Sequence, residues 1–483
     1  MEKLTKGAYG TFFVRKNVKS LSCYGGTDYY TQAERMHPLI IILLTLFGVA
    51  VLFWLVFGIN WRSKQNYDRK HRRLHARMQA EDTEALQRLL FSNSLTMRVE
   101  QRFRPLAMLL AQDGRPSVAV SDVEIITSGK DKYNMLMSDL ICAKESIHME
   151  YFHFGIDRYS RRIRQLLMEK ARQGVKVRFI NENIANWPIP DCYFHSMRKA
   201  GVEVVNFSDS KFSLLRFLLT LSYRDHRKIV VIDNRIGYTG GMNITANYFH
   251  RWRDTHLRLT GTAVASLQLA FLDTWLASGG HIHSALVNFF PERLQSGTDS
   301  AEKGQWSVLT QITPDDPTSP EPVLQTAYEW ILNHAQSYVW FQSPYIAPPP
   351  SLLEAMRHAA QRGVDVRVMV PKQCDTAIMR PINKSYYADL VHAGVQLYIR
   401  SGEFMHSKTI VCDDYLSCVG TTNLDYRSFG IDYEINTFFY DREVALRQKQ
   451  LFVDDLPICH LLSSAEVRTT PWQRLMRHLA PIV

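Results

Sequence analysis

No paired cysteines, no zinc-like cluster and no glycine-rich phosphate loop occur in this 483-residue chain. Its seven cysteines, at 23, 142, 192, 374, 412, 418 and 459, are odd in number, show no CxxC spacing and form no zinc-like grouping with histidine. That excludes a disulfide-stapled scaffold and a structural zinc module, and the cysteines read as reduced, mostly buried thiols in a reducing compartment. Without a glycine-rich cradle, any phosphate chemistry must lie elsewhere in the chain.

Long apolar runs are also scarce. Only "LIIILLTLFGVAVLFWLVFGI", Leu39 to Ile59, runs 21 residues without a charge, about 30 Å as a helix and enough for a bilayer's hydrocarbon core. A cleaved signal would have a shorter apolar region followed by small residues, whereas "NWRSK" follows here. Arg62, Lys64, Arg69, Lys70, Arg72, Arg73 and Arg77 lie beyond the run, against Arg35 alone just before Met36. Positive charge stays inside, so the larger C-terminal part is expected on the cytoplasmic side. The reading is an N-terminal extension at 1–37, one transmembrane helix at 38–60 and a basic juxtamembrane helical region at 61–115. Met1 and Met36 both suit a translational start.

The remainder has a globular composition, 46% hydrophobic and 22% charged, with a formal charge of +10 that favours anionic partners. It repeats itself. "ARQGVKVRFI" at 171–180 is echoed by "AQRGVDVRVMV" at 360–370, and "KAGVEV" at 199–204 by "HAGVQL" at 392–397. Each reads as a helix that ends at glycine and leads into a β-branched strand. An α/β fold follows, with two similar lobes at 116–295 and 296–460, joined by the polar "QSGTDSAEKGQ" and followed by an amphipathic tail at 461–483. In the tail, Trp472, Leu475, Met476 and Leu479 share a helical stripe that suits either a membrane surface or a lobe.

The chemistry lies in a second repeat. "YRDHRKIVVIDN" and "FMHSKTIVCDD" share the frame HxKxxxxD: His226, Lys228 and Asp233 in the first, His406, Lys408 and Asp413 in the second, 180 residues on. On a strand, positions two apart share a face, so each histidine lies beside its lysine. Both repeats have an asparagine 17 residues after the histidine (Asn243 and Asn423) and an acid 28 after it (Asp254 and Glu434). Lysine and asparagine donors suit the non-bridging oxygens of a phosphodiester without a metal. One neutral imidazole would attack phosphorus while the other, protonated, serves the leaving alkoxide, each oriented by a carboxylate. From the residues alone either histidine suits either role.

These motifs, with "GTTNLDYRSFGIDYEIN" and "FQSPYIAPPPSLLEAMRHAAQRGVDVRVMVP", resemble the phospholipase D superfamily and, within it, bacterial cardiolipin synthases, over about residues 36–483. The resemblance implies two phospholipase D-like α-β-α lobes with one active site between them. It also implies His226 as nucleophile, His406 as general acid and then base, Asp233 and Asp413 as structural groups away from phosphorus, and Asp254 and Glu434 behind the imidazoles. The implied reaction joins two phosphatidylglycerol molecules into cardiolipin and glycerol at the bacterial inner membrane, with no cofactor, no metal and no nucleic acid. Rival readings are a phospholipase D-type hydrolase, a phosphatidylserine synthase and a nuclease of the same superfamily. The apolar stretch Lys211 to Leu221, just ahead of His226, is expected either to dip into the membrane or to pack on its own lobe.

Overall fold

The computed structural model describes residues 84–207, 223–290 and 307–481. The expected span, the interlobe linker and the stretch 211–221 lie outside these residues, and among the described residues no helix is long and apolar enough to cross a membrane.

Fifteen of the described strands form one mixed sheet. Lobe 1 contributes, from its outer edge inward, Glu203–Asn206, Lys176–Asn181, Ser146–Tyr151, Lys228–Ile232, Ile236–Gly240, His256–Gly261 and Ala119–Ile126. Lobe 2 repeats the order in mirror sense: Val308–Asp315, Glu434–Tyr440, Leu416–Gly420, Thr409–Cys412, Tyr338–Gln342, Asp365–Pro371 and Gln396–Arg400, with Cys459–Leu461 at the far edge. The lobes meet strand to strand, Ala119 opposite Thr310 and Ser121 opposite Val308, antiparallel. The expected helix–glycine–strand units are present: Gly174, Gly201, Gly363 and Gly394 take φ of 93°, 96°, 87° and 90° where helices hand over to strands, a conformation glycine adopts without steric cost.

Helices cover both faces, as an apolar sheet of this kind requires. Gly129–Cys142 and Arg158–Arg172 pack on one side of lobe 1 through Leu136, Leu140, Ile163 and Leu167. On the other side, Val264–Ala277 is buried at every position except Asp273, which is why its sequence is apolar all round rather than on one stripe. Its core is continuous with Val419, Ile435 and Phe439 of lobe 2, so apolar packing crosses the join.

Two outer segments turn inward. Val99, Phe103, Leu106 and Leu110, from the region expected to be juxtamembrane, lie in the core of lobe 2, and helix Arg104–Leu110 packs on helix Val323–His334. At the other end, helix Pro471–Arg477 docks on helix Met379–His392. Arg477 there pairs with Asp389 and lies 4.1 Å from the Tyr386 ring centre, Met476 is buried, and Trp472 and Leu475 face outward. The tail thus docks on a lobe, with an apolar edge left exposed. The cysteines depart from expectation. Of the six described, all free, only Cys412 and Cys418 are buried, because these two point into the sheet core, whereas Cys142 and Cys192 are exposed near helix ends.

Candidate active site

Backbone pairing between the lobes builds the site. The stretch leading to His406 runs parallel to the stretch leading to Asp254: Phe404 pairs with Trp252, Met405 pairs with Arg253, and the His406 N–H donates to the Arg253 carbonyl at 2.8 Å. The pseudo-equivalent stretches do the same. Asp225 bridges Tyr433, the His226 N–H donates to the Tyr433 carbonyl at 3.0 Å, and the Tyr433 N–H donates to the Arg224 carbonyl at 2.8 Å. Each histidine therefore lies beside the acid of the opposite lobe. His226 Nδ1 is 3.0 Å from both carboxylate oxygens of Glu434, and His406 Nδ1 is 2.8 Å from Asp254 Oδ2. An ionised carboxylate only accepts, so Nδ1 carries the proton in both rings and Nε2 keeps its lone pair.

Both imidazoles line one cavity of about 450 Å³, together with Asn243, Asn423, Tyr248 and Trp252. His226 packs edge-on against Phe152, with ring centres 5.1 Å apart, and His406 has Tyr248 and Trp252 at 5.4 and 5.7 Å. Lys228 and Lys408 are buried beneath the rings. Lys228 Nζ donates to the His226 carbonyl at 2.5 Å, and Lys408 Nζ lies 3.0 Å from His406 Nε2 and 2.6 Å from the His406 carbonyl. Burial and then Lys408 hold His406 down at about 4, and burial followed by both lysines pushes His226 well below the usual imidazole range. Burial lowers Lys408 to about 7 and Lys228 to about 8 despite nearby carboxylates, while burial lifts Glu434 to about 6. Burial thus favours neutral imidazoles and brings both lysines close to losing their charge, and a neighbouring anion would act in the opposite direction.

The supporting residues divide. Asn423 keeps its carbonyl oxygen without a partner, while Asn243 is engaged, its oxygen accepting from the His153 N–H at 3.1 Å and its amide donating to the Tyr248 hydroxyl at 2.8 Å. A Cβ on Gly241 would stand 2.1 Å from Asp254 Oδ1, and one on Gly420 would stand 1.7 Å from Asn436 Oδ1, so these glycines make room for the groups behind the site. Asp233 and Asp413 sit at the far ends of the histidine strands. Asp233 accepts from the N–H groups of Lys144, Glu145 and Ser146, and Asp413 from those of Gln336, Ser337 and Tyr338 and from Arg102 at 3.0 Å. Both take positive φ, which Asp tolerates better than most residues. Among the described residues no group of three His, Cys, Asp or Glu is placed to hold a metal.

Sequence reasoning missed Tyr248, Trp252, Arg224 and Arg427, which also line the cavity. Tyr248 and Trp252 had a readable signal, aromatic residues between Asn243 and Asp254, but no counterpart in the second repeat, where Ser428 and Asp432 stand instead.

Two such lobes, closing paired HxKxxxxD frames over one cavity, define a phospholipase D-like fold and site. The phosphatidylserine synthase of Haemophilus influenzae has the same fold, with a TM-score of 0.57 at 14% identity over 76% of this chain and 95% of that one. A family model described as cardiolipin synthase, PLD-like domain, matches residues 136–275 and 329–456. The major cardiolipin synthase ClsA of Bacillus subtilis is 35% identical over 461 residues, 91% of this chain and 92% of that protein. The cardiolipin synthase of Geobacillus kaustophilus is 32% identical over 453 residues, 90% of this chain and 86% of that protein. The chain belongs to the cardiolipin synthase family.

Proposed function

We propose that the protein transfers a phosphatidyl group from one phosphatidylglycerol to another, releasing glycerol and forming cardiolipin, at the cytoplasmic face of a bacterial inner membrane. The observation that carries this reading is the crossed pair of imidazoles, each fixed through Nδ1 by the other lobe's acid and both lining one cavity. In the first step His226 Nε2 attacks phosphorus, the bond to the glycerol oxygen breaks, and His406 supplies the proton that glycerol carries away. In the second, His406 takes the proton of the acceptor hydroxyl, that oxygen attacks phosphorus, and the phosphorus–nitrogen bond breaks to restore His226. The phosphodiester anion offsets Lys228 and Lys408, and so allows His406 to hold a proton that burial and Lys408 otherwise disfavour. Exchange of one phosphodiester for another is nearly balanced in free energy, and the lysines supply donors to the equatorial oxygens.

Incubating the purified protein with phosphatidylglycerol alone should give glycerol and cardiolipin in equal amounts. Phosphatidic acid as the only lipid product would make the protein a hydrolase. Under rapid quench, acid-labile phosphate is expected on His226 and absent from His226→Ala, whereas His406→Ala should still label from a lipid whose leaving group needs no proton. Label on His406 would reverse the assignment.

A further inference from the structure

The two halves of the site match position for position at an offset of 180, from His226 and His406 to Asp254 and Glu434. Within that frame Tyr248 is matched by Ser428, and the two hydroxyls are used differently. Ser428 Oγ accepts from the Asn423 N–H at 3.1 Å and is hydrogen-bonded to Glu434, so its proton is committed to the framework. Tyr248 Oη accepts from the Asn243 amide at 2.8 Å, which leaves the phenolic proton to be donated. Among the described residues its other neighbour is His406 Nδ1 at 3.4 Å, which bears its own proton toward Asp254 and cannot accept. Tyr248 is buried, lines the cavity and is pinned by Trp252 at 4.7 Å between ring centres. A buried hydroxyl with its acceptor side filled and its donor side unmatched, beside one histidine and not the other, is a donor built for a ligand oxygen.

We infer that Tyr248 is a further catalytic residue, whose hydroxyl donates a hydrogen bond to the alcohol oxygen exchanged at phosphorus on the His406 side. Glycerol's oxygen gains negative charge as its bond to phosphorus breaks, and a neutral donor at that point stabilises it before His406 completes proton transfer. The same hydroxyl then orients the incoming lipid alcohol. The asymmetry between Tyr248 and Ser428 thereby marks the side at which alcohols leave and enter.

The inference rests on the transfer reading above, and its test separates the two. The full chain and Tyr248→Phe, in detergent micelles, are given phosphatidylglycerol or the p-nitrophenyl ester of phosphatidic acid in single turnover. Phenylalanine keeps the ring contacts and removes only the hydroxyl. Loss of one hydrogen bond to a developing alkoxide should slow glycerol release about tenfold, while p-nitrophenolate, stable without a donor, should leave at an unchanged rate. A fall in the ratio of glycerol release to p-nitrophenolate release of about threefold or more supports the role. A smaller change in that ratio overturns it, whatever the absolute rates. If the unaltered chain releases no glycerol from phosphatidylglycerol, the transfer reading fails; release with an unchanged ratio in the variant sinks only the role of Tyr248.

Discussion

Lys408 at about 7 and Lys228 at about 8 give the site a pH signature with opposite signs for activity and stability. In the proposed reaction their charge holds phosphate oxygens, so kcat/KM should be high below these values and fall as pH rises through 7 to 8. A bound phosphodiester favours the charged lysines, so the alkaline limb of kcat should lie higher than that of kcat/KM. Stability runs the other way. Burial depresses both lysines below their unfolded value, so over this range the unfolded chain binds more protons than the folded one, and unfolding free energy rises with pH. Parallel pH profiles of initial rate and Tm check this: activity and Tm declining together above pH 7 would show that the lysines are not the groups responsible.

Each histidine strand is anchored at the end remote from its histidine, by an aspartate that gathers three backbone N–H groups. Asp413 also holds Arg102, which ties the segment before lobe 1 to lobe 2. Asp413→Ala should therefore cost on the order of 3 kcal/mol in stability, read as a shifted denaturant midpoint, while turnover per folded molecule at low temperature stays near normal. Loss of turnover without loss of stability would place Asp413 in the chemistry instead. These elements show what the chain discloses before it folds. The β-branched run Ile229 to Ile232 and the matching spacings made the strands and the histidines at their cavity ends legible, because a strand's period and a motif's offset are local properties. The inward turn of Val99 to Leu110 was not legible, since its apolar residues look the same whichever lobe they cover. Nor was the duty of Gly241, which depends on where Asp254 arrives from across the fold.

At the scale of the whole molecule, the offset of 28 from each histidine identified the acids but not their pairing, because spacing within a repeat carries no information about contacts between repeats. The structure crosses them, and the crossing is testable. Asp254→Asn, a change in lobe 1, should impair His406 of lobe 2 and lower turnover by about 10²- to 10⁴-fold, yet still permit covalent labelling from an activated lipid. Glu434→Gln should instead disorient His226 and suppress labelling itself. The reverse pattern would mean that each acid serves its own lobe. Crossing also has a bearing on water, the competitor for any phosphatidyl-enzyme. If each lobe oriented its own histidine, an enzyme whose lobes had parted would still carry an aligned imidazole, ready to activate water and spill the lipid as phosphatidic acid. With the acids exchanged, parting the lobes unaligns both rings at once, and the catalyst fails silent rather than leaky.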